Sequence, residues 1–276
     1  MALLVFTNIF VWYAVYKETP SKYLTVAFLN IGQGDAIYIE SPTHNKMMID
    51  GGPDQSVLGE LRKVMPFYSR SIDTLLVTNP DSDHFSGFLN VMSLYHVNRI
   101  FEPGTKSNSD RYKQLEQAIS DKKISDIIAK RGMTIHLGGG ADLKILFPDQ
   151  DVSKWATNDG SIVARLTYGS TSVMFTGDAP NKTEEYVLSL DGQNVKSTIL
   201  KEAHHGSKTS ASEPFISAVN PQYDIISAGL NNKYGHPNKE TTDLLDKLKI
   251  PTLITFKVGT IIARSDGSSF GVTAER

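Results

Sequence analysis

The stretch Ile72-Asp73-Thr74-Leu75-Leu76-Val77-Thr78-Asn79-Pro80-Asp81-Ser82-Asp83-His84-Phe85 decides how this chain is read. Its first half is apolar and partly β-branched, which predicts a strand over Ile72 to Thr78. Pro80 lacks the N–H a ladder needs, so the strand stops there. A helix is predicted from Phe85 to Tyr95. That places Asp83 at its N-cap, where the positive helix end favours an ionised carboxylate. A cap accounts for Asp83 alone. It does not account for Asn79, Asp81, Asp83 and His84 crowded into one turn, because Asp81 and Asp83 repel each other unless a cation stands between them.

Further along the chain, similar clusters follow other predicted strands. Thr176-Gly177-Asp178 follows Ser172 to Phe175, and His204-His205-Gly206-Ser207 follows the strand Ser197 to Ala203. The loop Asn232-Lys233-Tyr234-Gly235-His236-Pro237-Asn238 opens a predicted helix, Lys239 to Leu248. Adjacent residues at a strand end point to opposite sides, so one of His204 and His205 is expected to face a metal and the other the substrate or the core. His44, His96 and His136 lack such surroundings and read as ordinary histidines. There is no cysteine, which excludes disulfides, thiolate zinc sites, iron–sulfur clusters and cysteine nucleophiles. Aspartates and imidazoles without thiolates are the ligand set of a hydrolytic divalent ion such as zinc, manganese or iron.

The chain has 276 residues, 40% hydrophobic and 21% charged, the composition of a globular protein rather than of a disordered, collagenous or multi-span membrane chain. Its 28 basic and 30 acidic residues leave a formal charge of −2, so no overall positive field gathers nucleic acid. Any such contact is local, and Arg62, Lys63, Lys122, Lys123, Lys201, Lys208 and Lys233 are the basic residues available for a phosphate groove. Strands are predicted at Leu24 to Leu29, Ala36 to Ile39, Lys46 to Ile49, Met133 to His136, Leu143 to Phe147, Ile162 to Tyr168, Tyr223 to Ser227, Thr252 to Phe256, Thr260 to Ala263 and Phe270 to Thr273. Helices are predicted at Ser56 to Met65, Asp110 to Arg131 with a break, Lys182 to Leu190 and Glu213 to Val219. Strands flanked by helices imply a layered α/β domain. The opening hairpins followed by strand-helix units imply two mixed β-sheets face to face with helices outside. The apolar run Ala2 to Tyr16, broken by Thr7 and Asn8, falls short of the about 20 residues of a spanning helix, and neither a basic n-region nor a small-residue cleavage site flanks it. Residues 1–19 are expected to be an apolar membrane anchor, left uncleaved, or a signal-like segment. Residues 20–276 are expected to form one hydrolase domain on the extracytoplasmic side.

The order of these motifs resembles the metallo-β-lactamase superfamily. More narrowly, Asn30-Ile31-Gly32-Gln33-Gly34-Asp35-Ala36, Ile49-Asp50-Gly51-Gly52, Asp81 to His84, Asn158 to Ser161, Phe175 to Asp178, His204 to Ser207 and Tyr234 to Pro237 resemble the C-terminal hydrolase domain of the ComEC competence DNA-uptake family. The resemblance covers Leu24 to the C-terminus. It implies a four-layer αββα sandwich with one or two divalent ions, zinc or manganese, at its edge, and hydrolysis of phosphodiesters, with single-stranded DNA as a candidate substrate. Carried over by position, Asp83 and His84 supply the Asp-His of the loop, Asp178 the bridging carboxylate, and His204 or His205 the late histidine. With His204 as ligand, His205 is left for catalysis beside Asp83. Asp81 belongs to a further metal position, where Asn79 stands in place of a histidine and Asn158 adds a second amide, both weaker ligands than imidazole. His205, Ser207 and His236 are candidates to bind or protonate a leaving oxygen. Gly34, Asp35 and Asp50 to Gly52 read as turns that orient the ligands from beneath. The competing expectations are hydrolysis of another ester or lactone, and a non-catalytic binding module in which Asn79 marks a degraded site.

Overall fold

A computed structural model describes residues 2–18 and 21–275. An apolar helix, α1 (Ala2–Glu18), precedes the sandwich. Then come β1 (Leu24–Phe28), β2 (Ala36–Glu40), β3 (Lys46–Gly51), α2 (Ser56–Val64) and β4 (Ser71–Leu76). The metal-loop candidate follows, with α3 (Ser82–Phe85), α4 (Phe88–Leu94), β5 (His96–Glu102), α5 (Asp110–Asp121) and β6 (Ser125–Ile128). The second sheet holds β7 (Thr134–Gly138), β8 (Ala141–Phe147), β9 (Val163–Tyr168) and β10 (Thr171–Phe175). After α6 (Asn181–Asp191) it continues with β11 (Ile199–Lys201), α7 (Glu213–Val219), β12 (Tyr223–Ile226), α8 (Lys239–Lys247) and β13 (Thr252–Ile254). A short α9 (Thr255–Val258) leads back to the first sheet through β14 (Ile261–Ser265) and β15 (Phe270–Ala274).

Among the described residues the strands form an eight-stranded sheet ordered β15-β14-β1-β2-β3-β4-β5-β6 and a seven-stranded sheet ordered β13-β12-β11-β10-β9-β8-β7. Both are mixed. The hairpin-connected strands pair antiparallel, whereas β3 to β6 and β10 to β13 pair parallel. Side-chain alternation creates the layers. Leu24, Val26 and Phe28 of β1 point into the core between the sheets, together with Phe175, Ile199 and Ile225 of the opposite sheet. Ala27 and Leu29 point the other way, under Val57, Leu61, Phe88 and Leu115 of the outer helices. The second sheet repeats this, with Met174, Leu200 and Ile226 covered by Val187, Phe215 and Leu245. Strands buried on both faces are the reason these segments are apolar at every position rather than alternating. The result is the expected αββα sandwich.

Some element boundaries differ from those predicted. The helix predicted to begin at Phe85 is two helices, and α3 already contains Ser82 and Asp83. The N-cap is therefore Asp81, and no side chain caps the helix. The break falls at Gly87, where a Cβ would run into the Gly51 carbonyl oxygen, so the chain there is pressed against the end of β3. Residues 125–128, expected within a broken helix, form edge strand β6, and β5 was not predicted. The predicted strand to Phe256 stops at Ile254 and turns into α9. Of the anchor segment, Met1 and Thr19 lie outside the described residues. Helix α1 exposes Leu4, Phe6, Phe10 and Trp12, and no helix among the described residues is long and apolar enough to cross a membrane.

Candidate metal centre

The functional clusters meet at one edge of the sandwich because each follows the C-terminal end of a strand. After β4, the Thr78 N–H and hydroxyl donate to the Asp50 carboxylate at 2.7 and 2.6 Å. His84 Nδ1 lies 2.9 Å from Asp50 Oδ2. A carboxylate only accepts, so His84 Nδ1 carries a proton, and a neutral ring would present its Nε2 lone pair to the cavity. From beneath, the Asp35 N–H reaches the Asp83 carbonyl at 3.2 Å and the Gly52 N–H reaches that of His84 at 3.1 Å. This close approach explains Gly34, whose φ is 124°. A side chain there would collide with the Asp83 carbonyl.

After β10, the turn Thr176-Gly177-Asp178 is fastened to the third cluster. The Thr176 hydroxyl donates to the Lys201 carbonyl and the His204 N–H to that of Gly177. After β11, His204 and His205 sit in a 3₁₀ turn with left-handed φ of 48° and 57°. Strand alternation therefore does not apply to them, and both rings face the same cavity. His205 is buried, with Nδ1 3.0 Å from the Ser227 carbonyl and 3.3 Å from Asp35 Oδ1. Asp35 thus backs His205 as Asp50 backs His84. Both aspartates lie in the turns expected to orient the ligands.

The outward-facing atoms converge. His84 Nε2 lies 3.1 Å from Asp178 Oδ2, and His205 Nε2 lies 3.4 Å from Asp83 Oδ2 and 3.7 Å from Asp178 Oδ1. Donors about 2.0–2.2 Å from a tetrahedral ion stand about 3.4 Å apart, the same spacing. Asp83, His84 and His205 present ligand atoms within 4.8 Å of one another, as do Asp35, His84 and Asp178. His84 Nε2, His205 Nε2 and Asp178 Oδ1 are buried without a hydrogen-bond partner, which is costly unless a ligand satisfies them. Burial alone would push Asp178 up, but the facing His84 and His205 hold its carboxyl well below the usual range. Burial would likewise push the imidazoles down, yet Asp178 with Asp50 raises His84, and Asp178 with Asp35 raises His205 to about 10. The carboxylates draw positive charge into the pocket, and a donor set of two imidazoles and two carboxylates fits a divalent metal.

His204 stands at the rim, with Nε2 3.7 Å from Asp178 Oδ2 and its ring centre 5.3 Å from that of His236. Desolvation and the neighbouring histidines push the His236 imidazole down to about 4. The Ser207 hydroxyl lies 3.0 Å from that of Thr209, within its own turn. The two asparagines bond to each other. Asn79 Nδ2 donates to Asn158 Oδ1 at 2.6 Å, and Asn79 Oδ1 accepts from the Asp81 N–H at 3.1 Å. Asp81 Oδ2 in turn accepts from the Thr157 hydroxyl at 3.1 Å. Thr157 and the Ser227 carbonyl carried no signal in the sequence. Lys201, grouped there with basic residues for a phosphate groove, is buried instead, with Nζ 2.8 Å from Asp35 Oδ2.

The signature of the metallo-β-lactamase superfamily matches residues 29–229. The chain belongs to the metallo-β-lactamase superfamily. Within it, 86% of the chain is 30% identical to ComE operon protein 3 of Bacillus subtilis (strain 168), and 81% is 26% identical to the competence protein ComA of Neisseria gonorrhoeae. The chain spans about a third of these relatives, 32% and 30% of their lengths. Among solved structures, CmlA, a diiron β-hydroxylase from Streptomyces venezuelae, superposes with a TM-score of 0.54 at 14% identity, over 84% of this chain and 52% of its own. That likeness concerns the fold. The superfamily's sandwich is the architecture described above, and the chain is related to the ComEC competence proteins.

Proposed function

We propose that this chain is a metal-dependent phosphodiesterase acting on single-stranded DNA, with one divalent ion, zinc or manganese, held by Asp83, His84, Asp178 and His205. The observation that carries the metal assignment is the convergence of His84 Nε2, His205 Nε2 and Asp178 Oδ1, buried and unpartnered, beside Asp83. This exchanges the roles first expected of the adjacent histidines, with His205 as ligand and His204 facing substrate. A bound divalent ion supplies a Lewis acid for the phosphoryl group and a lowered pKa for water. The chain's own residues supply the rest. Asp50 and Asp35 keep the ligand imidazoles turned inward. His204 and His236 stand at the mouth, where phosphate oxygens would enter. With its pKa near 4, His236 is neutral at pH 7, which suits positioning an oxygen through its N–H rather than releasing a proton.

The mutual bond of Asn79 and Asn158 supports one ion rather than two, since it holds the two amides on each other and leaves each oxygen already accepting one hydrogen bond. The names of the competence relatives support DNA as the substrate. The exposed apolar residues of α1 support attachment to a membrane surface. Incubation of the purified chain with single-stranded DNA and Mn²⁺ tests the activity. Nucleotide release that disappears in Asp83→Ala is expected, and no hydrolysis of any phosphodiester with any divalent metal overturns it. The paired asparagines also favour a second reading, a non-catalytic DNA-binding module. It would prevail if Asn79→His created activity where the parent has none.

A further inference from the structure

Next to the metal centre lies a cleft of about 500 Å³, lined by Phe147, Gln150, Trp155, Asp159, Lys182 and Tyr186 among others. It shares a loop with the centre. Thr157 and Asn158 turn inward to Asp81 and Asn79, while Trp155 and Asp159 line the cleft. Only Ala156, within at most about 7 Å of chain, separates Trp155 from Thr157. The cleft floor is the buried Phe147, and the rings of Trp155 and Tyr186 each lie 6.2 Å from it. Trp155 and Tyr186 are both 39% exposed. Tyr186 is fixed by its hydroxyl, which donates to Asp149 at 2.7 Å.

Two exposed aromatic rings from separate elements, held over an aromatic floor, form a site for a flat ligand. Its charge selects among flat ligands. Lys182 Nζ is 2.6 Å from Asp159 Oδ2, so the rim is electrically paired and does not call for a phosphate. Gln150 offers a carboxamide that can both donate and accept toward a polar ring edge. We propose that this cleft binds one unpaired nucleobase of the substrate strand, stacked on Trp155, with the strand running from there to the metal centre. The proposal rests on the phosphodiesterase reading for its substrate and adds the requirement for a single strand. A base within a duplex is already stacked on its neighbours and has no free face to offer.

The test uses the full chain and a short fluorescein-labelled phosphorothioate single strand, which resists cleavage, read by fluorescence anisotropy. Stacking of about 1–3 kcal/mol per base predicts that Trp155→Ala weakens binding roughly 5- to 150-fold, while Trp155→Phe recovers most of it. An abasic strand of the same length should bind the parent as weakly as the normal strand binds Trp155→Ala, and a blunt duplex should bind no better. The chain has two tryptophans. In a Trp12→Phe background, Trp155 is therefore the sole indole, and its emission should be quenched by the normal strand and not by the abasic one. If Trp155→Ala fails to fold, the quenching and Trp155→Phe measurements still decide. Parent-like binding in Trp155→Ala, equal binding of normal and abasic strands, or no binding overturns the stacking site. Because binding is read without cleavage, failure to hydrolyse DNA would count against the phosphodiesterase reading alone.

Discussion

Replacing Asp50 by Asn tests whether the ligand imidazoles owe their orientation to the carboxylates behind them. Asp50 has a left-handed φ of 57°, which Asn tolerates, and the two side chains have the same shape. One carboxylate oxygen accepts from the Thr78 N–H and the other from the Thr78 hydroxyl and His84 Nδ1. With Asn, the carboxamide oxygen keeps the Thr78 N–H and the amide nitrogen faces Nδ1 and the hydroxyl, which rotates to accept. His84 Nδ1 must then accept as well, and the ring proton moves to Nε2, where it blocks the lone pair aimed beside Asp178. Loss of such a partner weakens metal binding about 10- to 100-fold, equivalent to about 1.4–2.7 kcal/mol. The metal-free fold loses only about 1 kcal/mol. Competition of Zn²⁺ between the protein and a chromogenic chelator measures the first quantity, and thermal unfolding in EDTA the second. Parent-like zinc affinity in Asp50→Asn would refute the proposed orienting role, and an equally large loss of metal-free stability would reduce Asp50 to a folding residue.

Lys201→Met leaves Asp35 charged and buried without its 2.8 Å partner, so a destabilisation of about 3–5 kcal/mol in urea unfolding is expected. An unchanged midpoint would mean that His205, 3.3 Å from Asp35 Oδ1, balances the carboxylate by itself. Glu184 is pushed up to about 8, chiefly by burial and then by the nearby Glu202. The unfolded chain releases this proton near pH 4.5 while the folded chain keeps it to about 8, so this residue's contribution to stability falls as pH rises through that window. Glu184→Gln should melt close to the parent at pH 5 and higher than it at pH 8.5, by about 2–4 °C for each kcal/mol recovered. Parallel melting curves would contradict the shift. Asn79→His breaks the bond to Asn158 and adds an imidazole beside Asp81, so the metal content should rise from one ion per chain toward two. A content unchanged from the parent would show that the asparagine pair does not limit occupancy.

Where an apolar strand runs directly into a polar turn, the residues that gather at the sheet edge are legible in the sequence. Asn79 to His84, Asp178 and the histidine pair all stand just beyond strands that are buried on both faces, and Gly34 and Asp50 were legible as turns beneath them. What could not be read depended on local backbone and on distant partners. The left-handed turn at His204 and His205 cancels strand alternation, so the two rings share a cavity. Edge strand β6 is short and largely exposed, and β5 buries Val97 but exposes His96, Asn98 and Arg99. Neither therefore carries the apolar signature of a central strand. Lys201 looked like a surface cation because only the fold brings Asp35 to it. Asn79 looked like a weak ligand because Asn158, 79 residues away, was not known to take its amide.

Anomalous diffraction at the zinc edge from crystals grown with Zn²⁺ is the most direct measurement of the proposed centre. One peak per chain, about 2.0–2.2 Å from His84 Nε2, His205 Nε2 and the nearest oxygens of Asp83 and Asp178, is the expected result. A peak between Asn79 and Asp81, a pair of peaks bridged by Asp178, or no peak at these side chains would contradict it.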